Sequence, residues 1–285
     1  MTSAPEIQGV GIGLRHKHFH DFIDDKPEIP WLEVHTENFF SLSSNPSKYL
    51  KKIREDYPIS AHSVGMSLGS AQPVCKNHLQ NIKNFIDYFE PSLVSDHLSW
   101  NMAADDNNKI HLPDLLPIPY TQEALDIIIR NISQVQDFLG REILIENPSS
   151  YLAYKNNEID EWEFLVEAAK RSGAKLLLDV NNIHVSAHNH GFDEINYINS
   201  IPVDMVKEIH LAGFAINEIE GHKIYIDDHG ARVYPEVWNL FESTVQRFGD
   251  IPTLIEWDTN VPELAVLLDE ARKAEDVVAG IRKAA

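Results

Sequence analysis

Cysteine is nearly absent from this sequence, whose 285 residues include a single one, Cys75. One cysteine excludes an internal disulfide and any metal or redox site built from several thiolates. This composition is typical of a reducing compartment, so we expect the protein to be cytoplasmic. A helical pattern follows Cys75, which predicts that the thiol lies at the start of a helix.

Positive charge is also scarce, because 24 Lys and Arg residues stand against 44 Asp and Glu residues and give a net charge of −20. A field of this sign repels phosphate backbones and anionic lipids. We therefore expect no nucleic acid and no membrane among the partners. No segment approaches the roughly 18 consecutive apolar residues of a membrane span, and residues 1–9 carry no secretory signal pattern.

Motifs for nucleotide and acyl chemistry are missing. The glycines of GVGIG (9–13) have the wrong spacing for the dinucleotide fingerprint, and no helix opens directly after them. The chain contains neither a phosphate-binding loop nor a serine elbow. It also lacks a Gly-, Ser- and Pro-rich linker, so the sequence predicts one domain over residues 1–285.

What the chain does contain is a repeated alternation of short apolar runs and helical patterns, the rhythm of a parallel sheet covered by helices. The predicted strands are 9–14, 31–36, 58–62, 93–97, 142–146, 175–179, 206–211 and 253–257. Eight such strands favour an α/β fold, a single-domain (β/α)8 or TIM-type barrel, with an open doubly wound sheet as the alternative. Two long connections, 101–120 and 214–234, are expected to be loops at the C-terminal face.

Each of six consecutive predicted strands has an ionisable residue at or near its C-terminal end. These residues are His62, His97, Glu146, Asp179, His210 and Glu256. In a closed barrel these ends converge on one mouth, where buried carboxylates repel each other unless a cation neutralises them. Imidazole and carboxylate without thiolate suit iron, manganese or zinc. Because one ion rarely uses six protein ligands, the pattern predicts two or more metal ions at the C-terminal mouth.

The competing interpretation of each residue is structural, since a single His or Asp at a strand end commonly anchors a loop by hydrogen bonds. That all six of these residues would be loop anchors is much less expected than that any one of them is. Further candidate ligands lie just beyond the strands. They are Asn182 and His184 after the sixth strand, and Asp227 and His229 in the connection after the seventh. Polar turns, helix caps or a solvated strand end explain the remaining candidates equally well. These are Asp228, His188, His190, Glu33, His35 and Glu37, the last three alternating along the second strand.

Seven ordered strings carry a family resemblance. They are AHSVG (61–65), SDHLSW (95–100), LLPIPY (115–120), LIENP (144–148), LDVNN (178–182), IHLAG (209–213) and LIEWD (254–258). Together they resemble the multinuclear non-haem iron-dependent oxidative enzymes, a family that includes the oxidases of methanobactin and 3-thiaglutamate biosynthesis. The similarity runs from about residue 9 to residue 258.

This resemblance implies two or three iron ions, O2 as co-substrate and the cysteine of a ribosomally made precursor peptide as the reacting group. Carried onto matching positions, it implies iron ligation by His62, His97, Glu146, Asp179, Asn182, His210, Asp227, His229 and Glu256. Glu146 is the expected bridge, and Glu146, Asp179 and His210 are the expected catalytic residues. Asn182 stands where the methanobactin oxidases have a histidine. A small partner protein that recognises the leader of the peptide is also implied.

Other functions remain open on the residues by themselves. Similar barrels hold two divalent ions in sugar isomerases and epimerases, for which a lysine near a strand end would be diagnostic, and none is found. A three-zinc phosphodiesterase would need a basic surface, and a glycosidase would have no use for three strand-end histidines. A metal-storage or leader-binding module without activity is the non-enzymatic alternative.

Overall fold

The strands of the computed structural model, which describes residues 6–104 and 109–284, are short and number twelve within those ranges. They are β1 (Val10–Gly13), β2 (Leu32–His35), β3 (Ile59–His62), β4 (Leu93–His97), β5 (Trp100–Ala104), β6 (Lys109–Leu116), β7 (Leu144–Glu146), β8 (Lys175–Asp179), β9 (Val206–Leu211), β10 (Ala215–Ile219), β11 (His222–Ile226) and β12 (Thr253–Ile255).

Nine α-helices separate these strands in the described part of the chain. They are α1 (Phe19–Asp24), α2 (Asn45–Ile53), α3 (Lys76–Phe89), α4 (Gln122–Leu139), α5 (Glu161–Ser172), α6 (Val180–His190), α7 (Glu194–Ser200), α8 (Pro235–Phe248) and α9 (Leu264–Ala284). Cys75 is the N-cap residue of α3, which confirms its predicted place at a helix start.

Eight strands close into a parallel barrel in the order β1-β12-β9-β8-β7-β4-β3-β2, and β2 pairs with β1. This closure confirms the predicted (β/α)8 class and rules out the open doubly wound sheet. The barrel strands lie close to the predicted ones, although β7 and β12 are shorter than 142–146 and 253–257. Because β12 is shorter, Glu256 follows its last residue. In β9, which has its predicted bounds, His210 is the penultimate residue.

The helices cover the barrel because each has one apolar side. In α4, for example, Leu125, Ile128 and Ile132 recur at helical spacing and are buried. Thr121 caps this helix as its sequence predicts, since its Oγ1 accepts a hydrogen bond from the backbone N–H of Ala124. Such caps satisfy backbone groups that would otherwise be left without partners at the helix start.

The two long connections are not plain loops, which corrects the expectation for 101–120 and 214–234. The first contains the antiparallel hairpin β5–β6 and the second contains the hairpin β10–β11. The strands of the second hairpin are mostly exposed or half-buried, so no buried apolar face marks them in the sequence. Both hairpins rise beside the C-terminal ends of the barrel strands. Among the described residues, no helix is long and apolar enough to cross a membrane.

Candidate metal centre

The first group of side chains that could hold a metal ion comes from β3, β4 and β7. Parallel pairing sets His97 opposite Glu146, and His62 lies on the next strand. The Nε2 atoms of His62 and His97 lie 3.3 Å from each other, and each lies 3.3 Å from Oε2 of Glu146. A hydrogen bond of 2.8 Å between Nδ1 of His62 and Ser95 Oγ fixes the ring, so Nε2 faces the group.

The second group joins Glu146 to Asp179 and His210, whose ligand atoms all lie within 4.8 Å of one another. The register of β8 with β9 sets Asp179 opposite His210. One carboxylate oxygen of Asp179 accepts a 2.6 Å hydrogen bond from the backbone N–H of Asn182. The other oxygen, Oδ2, is buried without a hydrogen-bond partner.

The third group contains Asp179, His229 and Glu256. Nδ1 of His229 lies 3.4 Å from Oε2 of Glu256, and its Nε2 lies 2.5 Å from Oδ1 of Asp227. His229 has a positive φ of 45°, a conformation uncommon outside glycine, so the turn that presents this ring is unusual.

Two carboxylates link the three groups into one centre. Glu146 belongs to the first and second groups, and Asp179 belongs to the second and third. Asn182 lies beside this link, with its Nδ2 atom 3.3 Å from Oε1 of Glu146. A carboxylate has two oxygens and is able to bridge neighbouring cations, so the arrangement offers three adjoining positions for metal ions.

Burial and neighbouring charge set the protonation of the first two groups. Burial lowers the pKa of His62 well below its ordinary value and lowers the pKa of His97 to about 4. Both imidazoles are therefore neutral at pH 7 and keep a lone pair for a metal ion. Burial also raises the pKa of Glu146 well above its usual range and that of Asp179 to about 7, which shows the cost of keeping bare carboxylates here.

The other side of the centre is dominated by ion pairs. Burial by itself would lower the pKa of His210, but the carboxylates of Glu33 and Glu256 outweigh it and raise that pKa well above its ordinary value. His229 has a raised pKa for the same reason, with Asp227 and Glu256 as its partners. These two histidines in turn overcome the effect of burial on Glu256, whose pKa is well below normal.

The donor set fits metal ions. Several buried atoms at the meeting points of the groups lack hydrogen-bond partners, namely Oε2 of Glu146, Oδ2 of Asp179 and Oδ1 of Asn182. Spacings of 3.3 Å between donors match tetrahedral or octahedral shells, where bonds of about 2.1 Å put neighbouring donors about 3.0–3.4 Å apart. Nitrogen and oxygen donors without sulfur suit iron, manganese or zinc.

A cavity of about 300 Å3 leads to the centre from the C-terminal face. His62, His97 and Glu256 form part of its floor, while Leu115 and Tyr151 belong to its rim. The cavity therefore gives a reactant of modest size access to the donor atoms from the C-terminal face, where the catalytic sites of barrels of this kind lie.

Comparisons with known proteins identify the family. The model of the RiPP precursor modification enzyme MbnB/TglH/ChrH matches residues 9–279, RiPP meaning a ribosomally synthesised and post-translationally modified peptide. The chain belongs to this family. It is therefore an enzyme of precursor-peptide modification, and the predicted resemblance is confirmed.

A UPF0276 protein of Vibrio parahaemolyticus is 50% identical over 265 residues, covering 93% of this chain and 91% of the relative. Another from Vibrio vulnificus strain YJ016 is 48% identical, covering 94% and 91%.

Solved structures show the same fold at low identity. D-psicose 3-epimerase from Clostridium cellulolyticum H10 matches with a TM-score of 0.62 and 10% identity, covering 96% of this chain and 99% of that one. A xylose isomerase domain protein from Planctomyces limnophilus gives a TM-score of 0.57 and 11% identity, covering 97% of each. At such identity the likeness concerns the barrel and not the reaction.

All nine residues expected from the sequence lie in the three groups or close to them. Eight carry donors of the three groups or contact them directly: His62, His97, Glu146, Asp179, Asn182, His210, His229 and Glu256. Asp227 is connected to the third group through its ion pair with His229. It also accepts a 2.9 Å hydrogen bond from Nδ2 of Asn181. Their roles as iron ligands remain predictions.

Other candidates lie elsewhere. His184 pairs with Glu194 at 2.9 Å, and His188 stacks on the ring of Tyr225, so neither reaches the three groups. Glu37 does not share a face with the second strand, which corrects that expectation. The chain turns into a 3-10 helix at Thr36–Phe39, where Glu37 accepts a 2.6 Å hydrogen bond from Ser63.

Three further residues lie at the centre: Glu33 and His35, for which the sequence left a solvated strand end as an equal explanation, and Asp258, which was not among the candidate ligands. Glu33 is buried with Oε2 3.3 Å from Nε2 of His210, while His35 and Asp258 form a further group with Glu256. The alternation of Glu33 and His35 along β2 was the available signal, because residues two apart face the same side. Arg15 was also missed, and its guanidinium pairs with Asp258 at the edge of the centre.

Proposed function

We propose that this family member is a multinuclear, iron-dependent oxidase that uses O2 to modify cysteine residues of a ribosomally made precursor peptide. The observation that carries the proposal is the chain of three donor groups sharing Glu146 and Asp179. A centre for one ion would not need two shared carboxylates. The family supplies the peptide as the class of substrate.

The residues would hold two or three ions in defined places. His62, His97 and Glu146 would hold one, and Glu146 with Asp179 and His210 a second. Asp179, His229 and Glu256 would hold a third, with Asp227 orienting His229. Bound iron supplies positions for a thiolate and for O2 and accepts or donates electrons between them. A four-electron oxidation of cysteine is balanced by the reduction of one O2 to two waters.

The chain's own residues would prepare the site for this chemistry. The neutral rings of His62 and His97 present lone pairs without first losing a proton. Cys75 lies at the start of α3 and does not line the mouth, so the substrate thiolate meets no protein thiol there. A small leader-recognising partner protein completes the proposal.

The second candidate is a divalent-metal sugar isomerase or epimerase, or a phosphodiesterase-type hydrolase, on the same barrel. Its proton-transfer chemistry would be helped by a lysine at the mouth. Among the described residues that line the mouth, none is a lysine. The net charge of −20 also disfavours phosphorylated and polyanionic substrates.

The first experiment counts the metal ions. Protein reconstituted anaerobically with iron(II) is expected to hold at least two ions per chain, measured by elemental analysis and placed by anomalous diffraction next to Glu146 and Asp179. A single ion, or none, after reconstitution would overturn the multinuclear proposal.

The second experiment tests the reaction. Iron-loaded protein, O2 and the cysteine-containing peptide encoded beside it, with its partner protein, are expected to give a peptide mass change that a Cys→Ser peptide does not show. Glu146→Gln should lose iron and the reaction while keeping the circular dichroism spectrum. Glu142→Gln, the same change on an exposed residue, is the control and should behave as the parent. Turnover of a sugar or phosphodiester with an unchanged peptide would favour the second candidate.

A further inference from the structure

A second cavity, of about 200 Å3, lies behind one wall of the metal mouth. The wall is the segment 148–154. Ser149 and Tyr151 line the mouth, whereas Ser150, Leu152 and Tyr154 line the second cavity. Tyr151, Leu152 and Tyr154 are exposed apolar residues, and Leu152 is 67% exposed. A peptide with one residue in the mouth therefore has a second recess beside it.

Hydrogen bonds hold this second cavity in shape. The hydroxyl of Tyr154 donates to the carbonyl of Pro117 at 3.2 Å, and the backbone N–H of Tyr120 donates to Oδ1 of Asn157 at 3.0 Å. Ser150 Oγ lies 2.9 Å from Nε2 of His190. Segments from three parts of the chain are thus tied together around the cavity, so its walls are built before any ligand arrives.

The walls combine aromatic rings with negative charge. Tyr120, Tyr154, Trp162 and Phe192 supply the rings, and Asp160 and Glu161 are the acidic residues of the lining. No Lys or Arg belongs to the described lining. Rings and carboxylates without a resident cation are the chemistry that recognises a positively charged group on an apolar stem.

Glu161 is the more buried of the two acidic residues in the cavity lining. Its Oε1 accepts a 3.0 Å hydrogen bond from the hydroxyl of Tyr197, and Tyr120 also bonds to the carboxyl. Burial nevertheless raises the pKa of Glu161 to about 7, so the two tyrosines only partly offset the cost of its charge. A bound cation would remove that remaining cost.

We propose that this cavity binds the side chain of a lysine or arginine of the peptide substrate, next to the cysteine that enters the metal mouth. The assignment rests on the proposed function for the presence of a peptide. Its volume suits one long side chain, and the charge of −20 over the whole chain steers basic segments towards it. The subsite fixes which cysteine reaches the metals by its distance along the peptide from the basic residue.

The test uses short synthetic peptides with one central cysteine on a neutral background and with Lys, norleucine or Glu at each other position in turn. Binding to the iron-loaded protein is measured without oxygen by fluorescence anisotropy, so no turnover is required. At one or two spacings, Lys should bind on the order of tenfold more tightly than norleucine, and Glu more weakly.

Glu161→Gln should abolish the preference for Lys over norleucine while leaving the iron content unchanged. Glu163→Gln is the matched control, because it removes an exposed charge from the first turn of the same helix. Asp160→Asn is a second variant in case Glu161→Gln fails to fold, and it should weaken the same preference. Equal binding of Lys and norleucine peptides at every spacing, or equal loss in the Glu161 and Glu163 variants, would overturn the subsite.

The two proposals fail in different ways. Selective binding of Lys peptides without any mass change after O2 is admitted would overturn the oxidase proposal and support the subsite. Oxidation of cysteine that does not depend on a neighbouring Lys or Arg would overturn the subsite and support the oxidase proposal.

Discussion

His210 shows how a single residue depends on distant parts of the chain. Its Nδ1 lies 3.0 Å from Oε2 of Glu256 and its Nε2 lies 3.3 Å from Oε2 of Glu33. Both carboxylates are buried, so each ring nitrogen faces one acid in a medium that strengthens the attraction. With Glu33 on the inner side, the imidazole turns Nδ1 towards the mouth, where the candidate metal donors converge.

Replacing Glu33 by Gln is expected to lower metal affinity by about 10–100-fold, the usual effect of losing a carboxylate behind a metal-binding histidine. An amide is a weaker acceptor than a carboxylate, so the ring of His210 would lose its fixed direction. The measurement is iron(II) binding by anaerobic titration, with the electronic spectrum of the loaded centre as a second readout.

Glu37→Gln is the control for this variant, since Glu37 lies outside the three donor groups and bonds to Ser63 and His78. It should bind metal as the parent does. An unaltered affinity and spectrum in Glu33→Gln would show that Glu33 does not orient His210.

The stability of the fold depends on pH through one acidic residue at the start of α5. Its first residue, Glu161, has a folded-state pKa of about 7 against an ordinary value of 4.5, because burial disfavours the charge. The folded state therefore holds a proton that the unfolded state has already released between these values. Stability contributed by this group is lost as the pH rises from about 4.5 to about 7.

Glu161→Gln removes that loss, because the amide stays neutral at every pH. The variant is expected to be more stable than the parent at pH 8, by about 1–2 kcal/mol once partial exposure is allowed for, and nearly equal to it at pH 5. Thermal unfolding at the two pH values measures the difference. A stability gain of the same size at both would show that the ionisation of Glu161 is not its cause.

At the scale of the whole molecule, the barrel gathers an excess of acidic charge around its mouth. Carboxylates from β2, β7, β8 and β12 or the residues directly after them meet within a few ångströms, although each strand by itself carries only one or two of them. Metal ions bound there would relieve this repulsion and link strands that lie far apart in sequence.

Iron(II) loading is therefore expected to raise the melting temperature by several degrees. Occupancy at one hundred times the dissociation constant contributes about 2.7 kcal/mol, and each kcal/mol corresponds to about 2–4 °C in a chain of this size. Scanning calorimetry of iron-loaded and chelator-treated protein measures the shift, and Glu146→Gln should show a smaller one. Identical melting of both forms would count against metal ions in the barrel mouth.

Much of this architecture was predictable because its causes are local. The order of eight strands, the start of α3 at Cys75 and the cap at Thr121 follow from patterns that lie within a few residues of each other. The hairpin β10–β11 was missed because its strands are mostly exposed or half-buried, so they have no buried face to leave a pattern.

Local patterns in the sequence specify the barrel class and put His, Asp or Glu at or next to six strand ends, because strand periodicity and burial depend on neighbouring residues. The tertiary fold sets which of these donors lie close enough to share an ion. Closure of the barrel brings Glu33 of β2 against His210 of β9, and the turn at His229 carries its ring to Glu256. Those contacts join residues far apart in the chain, and their distances depend on the register and curvature of the whole barrel, which no local pattern specifies.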